Sequence, residues 1–196
     1  MNKFKVEKNV SKLNGLLLFK PDINIDNRGY LVETFNKKEL NRIGFNISFV
    51  QENLVQSKKG VLRGIHFQNK YPQGKLIYVI KGKIFDVVVD IRSGSKTFGE
   101  WFSIILTSDN KNMMYVPEGF AHGYLVLDDE TIVSYKCTDF YNPDDEMGII
   151  WDDPDIGINW PCLRSNNSCP VLSDGCTEIL ISKKDKQWRK LNDLIK

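Results

Sequence analysis

LIYVIKGKIFDVVVDI, residues 76–91, is the stretch that decides the fold class. Two runs rich in apolar and β-branched residues, LIYVI (76–80) and IFDVVVDI (84–91), flank Lys81-Gly82-Lys83. Short runs of this kind joined by a glycine-containing turn read as a β-hairpin. The pattern continues outward. WFSIILTS (101–108) and MMYVP (113–117) follow, with a polar turn at 109–112 between them. GYLVLDD and TIVSYKCTDFY add two more runs, broken at 128–130, and GLLLFKP and GYLVETF flank a polar turn at 22–28. Strand signals spaced by about 8–12 residues predict an all-β sandwich or barrel.

Helical signals are few. Residues 37–43 allow one or two turns, and KDKQWRKLNDLI (184–195) spaces Trp188, Leu191 and Ile195 as a helix would. The 196 residues suit one domain, and a 41% hydrophobic fraction supplies a core. Charges of both signs nearly balance at a net +2, and no long basic run occurs, so nothing marks a nucleic-acid-binding surface. The N-terminal MNKFKVEKNVSKLNG lacks the apolar stretch of a signal peptide. No apolar run reaches the roughly 18–20 residues of a membrane span. The expectation is a cytoplasmic protein without membrane contact. Neither G-x-G-x-x-G nor a Walker A motif is present, which argues against Rossmann and P-loop enzymes. The polar segment 162–178 reads as a long inserted loop.

Cys137, Cys162, Cys169 and Cys176 form no C-x-x-C pair, so free thiols are expected rather than a zinc site. The chain has only two histidines, His66 in GVLRGIHFQ and His122 in GFAHGY. Histidine is the side chain best suited to proton transfer near neutral pH, so both are candidate bases. No H-x-H pair accompanies them, so the expectation is a site without metal. Strand alternation groups Arg63 with Ile65 on one face and His66 with Gln68 on the other, unless Gly64 introduces a bulge. Asp86 and Asp90 share a face of their strand, and Lys75 opens an apolar one. Together with Arg28 and Glu33 these polar groups suit the mouth or interior of a barrel.

Several blocks carry a further likeness: DNRGYLVETF (26–35), FVQENLVQSKKGVLRGIHFQ (49–68), QGKLIYV (73–79), GKIFDVVVDIRSGSKTFGEW (82–101), VPEGFAHGYLVL (116–127), YKCTDFYNPDDEMGIIWDDPDIGINWP (135–161) and SKKDKQW (182–188). In this order they resemble the dTDP-4-dehydrorhamnose 3,5-epimerase family, the third enzyme of dTDP-L-rhamnose synthesis. The resemblance implies a cupin-type jelly-roll β-barrel with short peripheral helices. It implies a homodimer with an N-terminal strand reaching onto its neighbour, and no metal, nicotinamide or other cofactor.

The same resemblance assigns roles. His66 matches the base that takes a proton from carbon, and Asp185 the carboxylate paired with it. Tyr135 matches the proton donor on the opposite face of the sugar, and Lys75 the cation near the keto oxygen. Tyr141 matches a ring stacked on the nucleotide base. Arg28, Glu33, Gln51, Asn53, Arg63, His122, Glu146 and Lys184 match contacts to the nucleotide sugar, with Asp86 orienting His122. The inserted loop holds a second match, PVLSD (170–174), so Asp174 stands beside Asp185 as an alternative partner for His66. SKKDKQW, which matches further, favours Asp185.

The implied reaction is inversion at C3 and C5 of a nucleotide-linked 4-keto-6-deoxy sugar. Alternatives are a single-site epimerase, an epimerase of another nucleotide sugar such as a GDP-heptose, and a silent sugar-binding cupin. A ketoisomerase of the same barrel type is expected to carry a histidine where this chain has Gln68.

Overall fold

The computed structural model describes residues 3–161 and 179–194. Its elements are β1 (Phe4–Lys8), β2 (Leu17–Pro21), β3 (Ile23–Asp26), β4 (Gly29–Val32), α1 (Lys37–Arg42), β5 (Gln51–Ser57), β6 (Val61–Gln68), β7 (Lys75–Lys81), β8 (Lys83–Asp90), β9 (Trp101–Thr107), β10 (Met113–Val116), β11 (Phe120–Val126), β12 (Thr131–Cys137), β13 (Glu146–Gly148), β14 (Leu180–Ile181) and α2 (Leu191–Leu194). Two further turns, at Val10–Lys12 and Asp185–Gln187, are 3₁₀-helical.

One sheet runs β1-β2-β10-β7-β12-β5, and a second runs β13-β6-β11-β8-β9 with β14 added in parallel beside β6. The expected all-β class is therefore present, as mostly antiparallel sheets with short peripheral helices. Among the described residues neither strand order closes on itself. The hairpin expected at 76–91 does not form. β7 pairs with β10 and β12, while β8 pairs with β11 and β9, so the chain crosses at Gly82 from one sheet to the other. The turns at 109–112 and 128–130 make the same kind of crossing, from β9 to β10 and from β11 to β12. Residues 22–28 are not all turn either, since β3 pairs with β4 across Asn27-Arg28.

Alternation explains the packing. Ile77 and Val79 of β7 and Ile84 and Val88 of β8 point into a core shared by both sheets, with Met114, Phe120, Tyr124 and Val133. The alternate positions of β7, Leu76 and Tyr78, face outward onto Phe19, Phe45 and Leu40 of α1. Those of β8, Phe85, Val87 and Val89, face outward onto Ile149, Ile156 and Leu191 of α2. Each sheet is thus covered on both faces, which is why IFDVVVDI is almost unbroken apolar sequence. Each such residue contributes about 1.5–3 kcal/mol when fully buried.

The two acidic positions of β8, Asp86 and Asp90, are buried as well. Asp90 is fully buried and accepts hydrogen bonds from Arg92, Ser95 and Thr97. It organises the loop before β9 and lies outside the cleft described below.

Of the two helices, α1 agrees with the sequence and is capped by the Asn36 side chain, which accepts from the Glu39 N–H at 3.2 Å. The continuous C-terminal helix does not form. Trp188 is extended, Arg189 bridges to Ile149, and the chain turns helical again at Leu191, whose N–H the Asp153 carboxylate accepts at 2.8 Å. Cys137 is a buried free thiol. The inserted loop, with Cys162, Cys169, Asp174 and Cys176, lies outside the described residues, as does Ile195.

Candidate active site

Between the sheets lies a cleft of about 570 Å³. One wall belongs to β5, β7 and β12, which contribute Gln51, Asn53, Lys75 and Tyr135. The other belongs to β6, β11 and β13, which contribute Arg63, His66, His122, Tyr124 and Glu146. Tyr141, Ser182, Lys184 and Asp185 complete it from the connections after β12 and β14.

Arg63 and His66 both line the cleft although they stand three positions apart, an odd spacing on a strand. Val61 packs into the shared core, while Ile65 and Phe67 pack outward, so the alternation slips by one residue at Gly64. The pairing of β11 with β6 shifts register at the same place. Gly64 has φ +125, and a Cβ there would lie 2.5 Å from Gly123 Cα and 2.9 Å from the His122 carbonyl oxygen. Only glycine fits that backbone approach. The expected grouping of Arg63 with Ile65 is therefore corrected: the bulge turns Arg63 to the side of His66.

His66 Nε2 lies 2.7 Å from Asp185 Oδ1, and Nδ1 lies 3.9 Å from Glu146 Oε1. Asp185 is buried at the start of its 3₁₀ turn. It also accepts the Trp188 indole N–H at 3.2 Å, and its own N–H donates to Ser182 Oγ at 3.0 Å. Burial pushes this carboxyl up, but His66, Trp188 and Ser182 together outweigh that and hold it below the usual carboxylate range. Asp185 is thus ionised at neutral pH. A carboxylate at this distance favours the imidazole tautomer with the proton on Nε2, which leaves the lone pair on Nδ1. The Trp188 ring meets the His66 ring edge-on, centroids 6.2 Å apart.

The second histidine is also paired. His122 Nε2 lies 2.7 Å from Asp86 Oδ2, and both residues are buried. His122 stands directly across from His66 in the pairing of β11 with β6.

Lys75 ends the inward row of β7, beside Cys137 of β12. Among the described residues its ammonium has no hydrogen-bond or ion-pair partner. Burial pushes it below the ordinary lysine range, against the pull of Cys137, Glu146 and Asp86. Burial raises the Tyr135 phenol, so it keeps its proton at neutral pH. Glu146 accepts from Tyr141 Oη at 2.8 Å and is paired with Lys184. Burial pushes Glu146 up, but Lys184, Tyr141 and His66 bring it below the usual range.

Eleven of the thirteen residues matched to catalytic or substrate-contact positions line this cleft. Arg28 and Glu33 do not. Arg28 sits exposed at the β3–β4 turn and pairs with Asp26 at 2.6 Å; Glu33 accepts from Asn36 and lies 3.4 Å from Lys3. Sequence reasoning missed Tyr124 and Ser182 in the cleft, and Trp188 behind it. The available signal for Tyr124 was a phenol within the otherwise apolar run GYLVL. Among the described residues no group of three or more His, Cys, Asp or Glu side chains is arranged to hold a metal ion.

The fold is cupin-like and all-β, and a carboxylate-paired imidazole on one sheet with a protonated phenol on the other suits acid–base chemistry on a bound molecule, as in an isomerase. The chain belongs to the dTDP-4-dehydrorhamnose 3,5-epimerase family, whose model matches residues 10–193. It is 46% identical over 183 residues to the dTDP-4-dehydrorhamnose 3,5-epimerase of Methanothermobacter thermautotrophicus, covering 93% of each chain. Among solved structures it resembles the Legionella pneumophila dTDP-6-deoxy-D-glucose-3,5-epimerase in complex with dTDP-4-keto-L-rhamnose. There the TM-score is 0.85 at 39% identity, over 98% of this chain and 95% of that one. It also resembles the Bacillus anthracis dTDP-4-dehydrorhamnose 3,5-epimerase with TDP and pyrophosphate bound. That comparison gives a TM-score of 0.83 at 38% identity, over 95% of this chain and 99% of that one.

Proposed function

We propose that the chain inverts C3 and C5 of dTDP-4-dehydro-6-deoxy-D-glucose to give dTDP-4-dehydro-L-rhamnose, a precursor step for L-rhamnose in surface polysaccharide. The observation that carries this reading is the opposition of the His66–Asp185 pair and Tyr135 on the two walls of one cleft. The C4 carbonyl acidifies the hydrogens on C3 and C5. His66 removes one of them, and Asp185 stabilises the imidazolium that results. The enolate oxygen is met by Lys75, whose ammonium has no protein partner to give up. Tyr135 returns a proton from the other face, which inverts the carbon.

Arg63, Gln51, Asn53, His122, Glu146 and Lys184 hold the nucleotide sugar in this scheme, and Tyr141 stacks on its base. The diphosphate suits Arg63, whose planar guanidinium donates to two oxygens at once. Asp86 orients His122, a role supported by their 2.7 Å contact.

The finer architecture is proposed as one domain with an inserted loop at 162–178, its two sheets forming the halves of a jelly-roll barrel. Support for the barrel comes from the single core that the inner faces share. The active form is proposed as a homodimer in which the β3–β4 arm reaches the neighbouring cleft. The arm leaves Ile25 79%, Leu31 62% and Tyr30 57% exposed. In that arrangement Arg28 and Glu33 serve the partner's substrate.

The test is deuterium incorporation. The keto sugar nucleotide is incubated with enzyme in D₂O, and C3 and C5 are followed by NMR. Exchange at both carbons is expected, and His66→Ala should abolish it. Exchange at neither carbon would sink the reading, and exchange at one alone would convert it to a single-site epimerase.

A further inference from the structure

One polar group in the cleft has no role in the scheme above. Tyr124 is 4% exposed, and its hydroxyl is buried without a hydrogen-bond partner among the described residues. Buried hydroxyls nearly always find a partner, so an orphan marks a place where something else supplies one. The residue lines the cleft. Its ring lies 6.2 Å from the His122 ring, tilted by 45°. The charged and ionisable groups whose fields reach the hydroxyl are Arg63, Tyr135 and Asp86. Tyr124 pairs with Arg63 across β11 and β6, and it packs in the shared core beside Tyr135.

We infer that the Tyr124 hydroxyl is a sugar-recognition group, which hydrogen-bonds an oxygen of the hexose when the nucleotide sugar is bound. The inference rests on the proposed function for its choice of ligand. Three features support it. The phenol stays protonated, because burial raises it well above the ordinary tyrosine range, so it can donate. The ring is fixed by the shared core, so little order is lost on binding. Its neighbour Tyr135 is the group assigned to the reacting carbon, which puts the hexose and not the base beside it.

The experiment compares Tyr124→Phe with the parent protein by calorimetric titration, using dTDP-glucose and dTDP alone. Phenylalanine keeps the packing and removes only the orphan oxygen, so the melting temperature should hold or rise. The sugar-bearing ligand should lose about 5- to 20-fold in affinity, the scale of one hydrogen bond to a buried partner, while dTDP binds unchanged. The ratio of the two affinities is the decisive reading, since a packing role does not alter it. An unchanged ratio overturns the inference, whether both affinities hold or both fall together. Failure of the proposed function would appear separately, as a parent protein that exchanges neither carbon in D₂O.

Discussion

Gly148 lies directly beneath the indole of Trp188. A Cβ at Gly148 would sit 2.6 Å from both Cε2 and Nε1 of that ring. Gly148 pairs with His66 across β13 and β6, and the Trp188 Nε1 donates to the carboxylate that holds His66. The placing of His66, of its carboxylate partner and of the ring that steadies them therefore depends on the absence of one side chain.

Gly148→Ala should displace Trp188 and loosen Asp185. Misplacement of a reacting group by about 1 Å costs on the order of 10²-fold in rate. A fall of that size in kcat is expected, with a stability loss of about 1–3 kcal/mol from overpacking. Steady-state kinetics and denaturant unfolding on the same sample check both.

Asp185→Asn keeps the shape but removes the charge that faces His66. The expected loss in kcat is roughly 10²- to 10⁴-fold, since the imidazole loses both its tautomer and its counter-charge. KM should change little, because Asp185 is assigned to the base and not to the substrate. A variant that retains parental kcat would remove Asp185 from its role and return attention to Asp174.

Lys75 carries a prediction with an explicit sign. Its folded-state pKa lies below the unfolded value, so between the two the unfolded chain binds more protons. The charged lysine therefore costs stability at neutral pH, and that cost is relieved as pH rises through its folded value towards the ordinary lysine range. Lys75→Met should melt higher than the parent at pH 7 and lose activity about 10²- to 10³-fold. Burial brings Lys75 down and pushes the Tyr135 phenol up, so the prediction is that Lys75 sets the alkaline limb of the parent's rate profile. Lys75→Arg should move that limb upward. A limb left in place would assign it to another group.

Asp90 tests the frame apart from the chemistry. Burial pushes this carboxyl up, but its bonds to Arg92, Thr97 and Ser95 dominate, and it sits far below the usual range. The stability it adds is present above the unfolded carboxylate value and is lost as pH falls through the folded one. Asp90→Asn should destabilise by about 3 kcal/mol, by breaking a buried charge pair, and leave KM unchanged. Urea titration at neutral pH and again well below the ordinary carboxylate range measures the effect and its pH dependence.

The sequence exposed the site more clearly than the sheets. His66 and Lys75 stand out as polar groups in strand-like runs, Tyr135 and Asp185 follow only from the family resemblance, and the structure brings all four to one cleft. Sheet membership was not legible at 76–91, because a strand covered on both faces has no period that names its neighbour. The slip at Gly64 was visible only as an option, since a glycine permits a bulge without requiring one. The sequence spaces Trp188 as one apolar position of a helix. Its actual place depends on the hole at Gly148, about forty residues earlier in the chain.

The crossings between sheets have one further consequence, for the order of events in folding. The strands that build the cleft pair as β5 with β12, β7 with β12, β6 with β11, and β6 with β13. None of these partners is adjacent in the chain, so no local hairpin can assemble any part of the catalytic wall. Topologies dominated by distant pairings close late and slowly. Catalytic competence is therefore an all-or-none report on the finished molecule. During refolding, turnover should appear only after both sheets have met, with no partly active species before it.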